Sequence, residues 1–187
     1  MIDRRQILAL VSCSLASPAF AQTTPMSKPT AYAFSFTGLD GKAIRLVEHA
    51  GKPILVVNTA SQCGYTPQFA GLQELWRRYR ERGLLIVGVP SNDYGGQEPG
   101  GANEIMHTAH NQYGVSFPLT AKTDVKGEAA HPFFKWAALE RPGELPRWNF
   151  HKYLVGRNGH VVASFSTQIE PTDARVIAAI EKELRGN

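Results

Sequence analysis

The chain is predicted to form an α/β domain of three layers, a β-sheet held between helices, and three features predict it. Strand-like and helix-like patterns alternate from residue 33 to the C-terminus. Two segments, 54–58 and 84–89, are continuous apolar runs, as in strands covered on both faces. A length of 187 residues, 43% of them apolar, suits one core preceded by a short extra segment.

The extra segment is a leader. Arg4 and Arg5 make a positive start, residues 7–15 an apolar stretch, and Ala19-Phe20-Ala21 a small-x-small cleavage site. Cutting after residue 21 leaves Gln22 as the N-terminus, and loss of Asp3, Arg4 and Arg5 takes the net charge from +4 to +3. The protein is therefore expected to be exported, to a periplasm or beyond the cell. The route stays open: the paired arginines resemble a twin-arginine signal, and Leu10-Val11-Ser12-Cys13 resembles a lipoprotein box. Residues 22–32 are polar and proline-bearing and read as a linker, and 33–187 as the folded domain.

Within the domain, Phe34 and Phe36, a turn at Asp40-Gly41, then Ile44 and Leu46 alternate as a hairpin does. The buried strand 54–58 follows. Next comes a helix with Pro67 near its first turn and Phe69, Leu72, Leu75, Trp76 and Tyr79 at helical spacing, ended by Gly83. After the strand at 84–89, residues 102–113 read as a helix ended by Gly114, 117–120 as a short strand, and 131–139 as a short aromatic helix. Two strands, 153–155 and 161–165, flank the turn residues Asn158-Gly159. Thr172 or Asp173 caps a last helix whose buried face is Val176, Ile177, Ile180 and Leu184.

Charge and composition exclude some functions. No Lys/Arg block interleaves with aromatics, so nucleic-acid binding is not expected. No mature stretch is long enough to span a bilayer. His107 and His110 are three apart on one helix, but a metal needs a third ligand, and none stands nearby in sequence. No metal or cofactor is expected. Arg77, Arg78, Arg80 and Arg82 read as a solvated face, with attraction of an anionic reductant or headgroup as the sharper alternative.

Cysteine use is more telling. Cys13 leaves with the leader, so Cys63 is the one mature thiol. It follows a buried strand and shortly precedes a helix, where unpaired amides and the helix dipole favour a thiolate. Gly64 beside it lets the backbone bend toward the sulfur. A dithiol motif would need a second cysteine at Thr66, so disulfide exchange of the usual kind is excluded. One activated thiolate suits reduction of a peroxide with formation of a sulfenic acid. Acyl transfer with a histidine partner, a non-catalytic docking module and a redox sensor are the alternatives these residues leave open.

Three separated motifs resemble those of the glutathione peroxidases. They are Asn58-Thr59-Ala60-Ser61-Gln62-Cys63-Gly64-Tyr65-Thr66, Asn92-Asp93-Tyr94-Gly95-Gly96-Gln97-Glu98-Pro99-Gly100, and Trp148-Asn149-Phe150 with Lys152-Tyr153-Leu154-Val155. The similarity covers about residues 33–185. It implies a thioredoxin-like fold with a mixed central sheet, and a catalytic tetrad of Cys63, Gln97, Trp148 and Asn149. The tetrad is chemically sensible, because two amides and an indole N–H are neutral donors that can stabilise a sulfur anion and position a peroxide.

Two departures from the family pattern matter. Ala109 stands near the position where many thiol members carry a resolving cysteine, and Ser91 replaces a cysteine found in the glutamine loop of many others. The resemblance then implies an external reductant, glutathione or a thioredoxin-type protein. The short connection 141–148 resembles members that lack an oligomerisation segment, which implies a monomer open to bulky lipid hydroperoxides.

Overall fold

The structure, a computed structural model, describes residues 28–185. The expected leader, residues 1–21, and residues 22–27 of the expected linker lie outside the described residues. The fold reaches back further than residue 33. Ala31 is fully buried, its N–H donates to Gly159 O at 2.8 Å, and the Tyr32 hydroxyl donates to Arg157 O at 2.7 Å. Proline and polar neighbours hid this, because the contact is made with residues 125 or more positions away.

The N-terminal hairpin forms as expected, from β1 (Ser35–Thr37) and β2 (Ala43–Arg45), with Phe36 opposite Ile44. Gly41 takes φ +80° at the turn, a left-handed value that suits glycine. The main sheet contains β3 (Ile54–Thr59), β4 (Leu85–Pro90), β5 (Lys152–Val155) and β6 (Val161–Phe165), in the order β4-β3-β5-β6. β3 pairs parallel with β4 and antiparallel with β5, and β5 antiparallel with β6, so the sheet is mixed. Every residue of β3 and β4 is buried. That explains why both read as unbroken apolar runs: each sheet face is covered by helices.

Alternation in β3 sorts the core into two. Leu55 and Val57 face α1 (Gln68–Tyr79) and α4 (Ala174–Arg185), meeting Phe69, Leu72, Leu75, Val176 and Ile180. Ile54 and Val56 face α3 (Pro132–Glu140), meeting Phe133, Phe134 and Trp136. Asp173 caps α4, its Oδ1 accepting from Arg175 N at 2.9 Å. α1 passes into a 3₁₀ turn (Arg80–Arg82) and stops at Gly83, φ +108°.

Two expectations need correction. Residues 117–120 do not form a strand. They make single bridges, Leu119 to Gly88 and Thr120 to Gly38, which tie the main sheet to the hairpin. Pro118 has no N–H to extend a ladder. The helix over 102–113 is α-helical only as α2 (Ala102–Met106) and continues as a π-helical stretch, His107–Gln112. Among the described residues no helix is long and apolar enough to cross a membrane.

Candidate active site

Cys63 lies in the loop that leaves the C-terminal end of β3 and winds into α1, 7% exposed. The loop coils before the helix is formally reached. Thr66 N donates to Cys63 O at 3.0 Å, Gln68 N to Tyr65 O at 2.9 Å and Phe69 N to Thr66 O at 3.0 Å. This leaves the Tyr65 N–H free to point at Cys63 Sγ, 3.4 Å away. The sulfur thus sits at the mouth of a helix with a backbone N–H directed at it.

Thr66 shapes this loop, a role the sequence reading missed. Its Oγ1 accepts from Cys63 N at 3.1 Å and lies 2.8 Å from Ala60 O and 2.7 Å from Cys63 O, so its one proton serves those carbonyls. The available signal was its place, where a dithiol enzyme has its second sulfur. Gly64 is not the hinge it was expected to be. It has no positive φ, and a Cβ there would meet nothing within 4 Å. The glycine that sterics require is Gly95, φ +70°, whose Cβ would stand 3.1 Å from the Trp148 ring and 3.5 Å from Gln97 Cγ.

Gln97 reaches the nucleophile loop through the backbone, its carbonyl accepting from Gln62 N at 2.9 Å. Its side-chain Oε1 accepts from Asn149 Nδ2 at 2.9 Å. Asn149 Nδ2 also lies 3.3 Å from Tyr94 O, and its own Oδ1 has no partner although the residue is fully buried. Trp148 stands over Gly95 with its ring 6.1 Å from that of Tyr94, and remains 37% exposed. Three distant segments are thus brought together: Gln97 and Asn149 share a hydrogen bond, Gln97 touches the Cys63 loop, and Trp148 flanks them.

The 148–150 turn is fixed from below. Asn58, at the end of β3, donates from Nδ2 to Trp148 O at 3.1 Å and accepts from His151 N at Oδ1, 3.0 Å. Phe150 takes φ +62°, strained for an aromatic residue by about 1–3 kcal/mol. Its N–H donates to Asn58 O at 2.6 Å, and its ring packs edge-on against Phe69 at 5.3 Å. Thr167 Oγ1 donates to Asn149 O at 2.8 Å.

Titratable groups ring the site. Burial pushes the Glu98 carboxyl up, opposed by hydrogen bonds from Ser61 and by Lys122. The same Lys122 ties down the glutamine loop by donating to the carbonyls of Glu98, Pro99 and Gly100. Burial raises the Tyr94 hydroxyl to about 12, while that hydroxyl donates to Pro146 O at 2.6 Å. Burial, then neighbouring Lys152, pulls His151 down to about 4, so it is a neutral acceptor or donor toward Ser164 Oγ at 2.9 Å.

The other candidates sit apart. His107 and His110 both bond to Asn111, at 3.3 and 3.2 Å. Among the described residues no group of three or more His, Cys, Asp or Glu could hold a metal. Ala109 is buried in the π-helical stretch, and Ser91 is buried with its N–H on Thr59 O.

Comparison with known proteins gives the family and the fold. Residues 31–138 match the family model described as glutathione peroxidase. A curated relative, the hydroperoxy fatty acid reductase gpx1 of Synechocystis sp., is 44% identical over 170 residues, covering 86% of this chain and 99% of that protein. The crystal structure of T. cruzi GPX1 superposes with TM-score 0.68 at 29% identity, over 84% of this chain and 98% of that one. A thioredoxin-family thiol:disulfide interchange protein from Chlorobium tepidum TLS is 16% identical, covers 88% of this chain and 99% of its own, and reaches TM-score 0.61. At that identity the likeness concerns the fold alone, which is thioredoxin-like.

Proposed function

Because the chain belongs to the glutathione peroxidase family and is an oxidoreductase of that peroxidase type, we propose that it reduces hydroperoxides by a one-thiol cycle at Cys63. The observation that carries this is the Cys63 sulfur met by the Tyr65 N–H at the mouth of α1, with the bonded Gln97–Asn149 pair anchored to the same loop.

The cycle balances on one sulfur. The Cys63 thiolate attacks one peroxide oxygen. An S–O bond forms, the O–O bond breaks, and the leaving oxygen takes a proton to become water or an alcohol. Cys63 is left as a sulfenic acid. The Gln97 amide and Trp148 indole N–H serve as neutral donors toward the sulfur and the peroxide, while Asn149, whose amide hydrogens go to Gln97 Oε1 and Tyr94 O, orients Gln97. One external thiol condenses with the sulfenic acid, releasing water and forming a mixed disulfide. A second thiol exchanges with it and restores Cys63. The reductant is external because Ser91 and Ala109 put no resolving thiol at those positions, and glutathione or a thioredoxin-type dithiol fits that role.

Bulky organic hydroperoxides are among the substrates. Trp148 is exposed beside a groove of about 750 Å³ lined partly by Leu145, Phe165 and Ile169, with Arg147 at its edge. The relative in Synechocystis sp. is described as a hydroperoxy fatty acid reductase. The enzyme acts as a monomer outside the cytoplasm, a reading that rests on the 1–21 leader pattern and the short 141–148 connection.

The test is stopped-flow oxidation of the reduced enzyme by hydrogen peroxide and by a fatty-acid hydroperoxide, with sulfenic acid trapped at Cys63 by mass spectrometry. Oxidation orders of magnitude faster than free cysteine is expected. A rate equal to free cysteine overturns the proposal. Turnover with glutathione beside a thioredoxin system names the reductant.

A further inference from the structure

Lys152 is fully buried at the start of β5, directly after the site segment 148–151. A buried lysine is costly unless its ammonium is fully bonded. Here it is. Nζ donates to Gln68 Oε1 at 2.6 Å, to Ile169 O at 2.6 Å and to Phe150 O at 2.8 Å. Three oxygens face three N–H bonds, so the cage fits the charged form, and a neutral amine would lose one of the three. The acceptors come from three places. Phe150 carries the left-handed turn after Trp148 and Asn149. Gln68 opens α1, five residues after Cys63. Ile169 lies in the loop between β6 and α4. Gln68 is itself held through Nε2, by Thr167 O at 2.7 Å and Glu170 Oε1 at 3.4 Å.

Resting on the peroxidase reading above, we propose that the Lys152 ammonium is a positioning group for catalysis, clamping the Trp148–Phe150 turn to the first turn of α1 so that the donors and the Cys63 loop keep one geometry. It acts through Phe150 and Gln68 and is not placed on the reacting atoms. The groups that set its charge are few. Burial pulls Lys152 down to about 7, and Glu170 opposes this. His151, the residue before the strand, is neutral over the working range. Gln68 on α1 and the two carbonyls carry no charge. Loss of the proton as pH rises therefore loosens the clamp.

The experiment follows Cys63 oxidation by hydrogen peroxide in stopped flow from pH 5.5 to 9.5, for wild type, Lys152→Met and Glu170→Gln, beside melting temperatures. Wild type is expected to show a descending limb on the alkaline side of pH 7. Lys152→Met is expected to be at least tenfold slower per folded molecule at pH 6 and to lack that limb. Glu170→Gln changes an exposed side chain and so folds. It is expected to move the limb to lower pH, because the charge that supports the ammonium is gone. A wild-type rate per folded molecule in Lys152→Met, a wild-type profile without the limb, or an unmoved limb in Glu170→Gln overturns the clamp. Wild type that reacts no faster than free cysteine overturns the peroxidase reading instead, so the two failures are separable.

Discussion

The floor beneath Cys63 and the histidine-bearing stretch His107–Gln112 are both polar clusters, and they are built in opposite ways. The floor draws Asn58, Thr66, Gln68, Lys152 and Thr167 from separate elements and buries them all. The histidine stretch takes its polar residues from one helical turn and leaves His107 and His110 largely in solvent, bonded to their own neighbour Asn111. The difference shows what a reactive site needs. Convergent donors work in a place from which water is excluded, because there an unbonded or bonded polar atom carries a large energy. Two histidines three apart on an open helix have no such leverage.

Removing the sulfur tests the floor most severely. Cys63→Ser is expected to lower peroxide turnover by at least ~10³-fold, since a hydroxyl is not a thiolate and removal of an enzyme's nucleophile costs on that scale or more. Far-ultraviolet circular dichroism is expected to stay unchanged. Turnover within tenfold of wild type would move the chemistry away from Cys63. Next in size are Gln97 and the Asn149 that holds it. Gln97→Ala and Asn149→Ala are each expected to cost roughly 10²-fold in the second-order rate of oxidation. The double variant should fall short of the product, because Asn149 Nδ2 holds Gln97 Oε1 and each change already disturbs the other. Strict additivity would mean that the two side chains act apart.

The sheet and helices were legible because each is written in local pattern. β3 and β4 are buried on both faces, so their apolar runs are unbroken. α1 and α4 each bury one stripe. Cys63, Gln97, Trp148 and Asn149 were singled out through motif resemblance, and the bond between Gln97 and Asn149 was not readable, because the two meet across 52 residues. The Lys152 cage was illegible for a sharper reason. A lysine beginning a strand looks like a solvated edge, and nothing local says that Gln68, 84 residues earlier, will bond it. The left-handed Phe150 was hidden too, since an aromatic residue there breaks the local rule and the fold imposes it.

Two smaller effects concern stability. Thr66→Val leaves the Cys63 N–H unbonded inside the loop and is expected to cost about 1–3 kcal/mol in chemical denaturation, with a lower oxidation rate. An unchanged midpoint would show that the loop finds another acceptor. For Lys152, burial holds the folded value near 7, below the 10.5 of a lysine in the unfolded chain. Between those two values the unfolded chain binds the extra proton, so this group makes the protein more stable as pH rises from 7 toward 10. Activity is expected to fall over the same interval. Lys152→Met should remove that rise in melting temperature, and a rise that persists assigns it to other groups.

The smallest expected effect belongs to the surface cluster. His107→Ala and His110→Ala together remove two exposed rings whose polar contacts are confined to Asn111. Surface substitutions away from packed or bonded features change stability by no more than about 0.5 kcal/mol. Peroxide turnover is therefore expected to stay within twofold of wild type, and zinc titration followed by calorimetry is expected to show no difference between the two proteins. The segment does hold one buried residue, Ala109, at its inner face. A loss of activity in the double alanine variant would therefore mean that the π-helical stretch feeds strain through Ala109 into the core. It would also erase the contrast drawn between a cluster built across the fold and one built along a single turn.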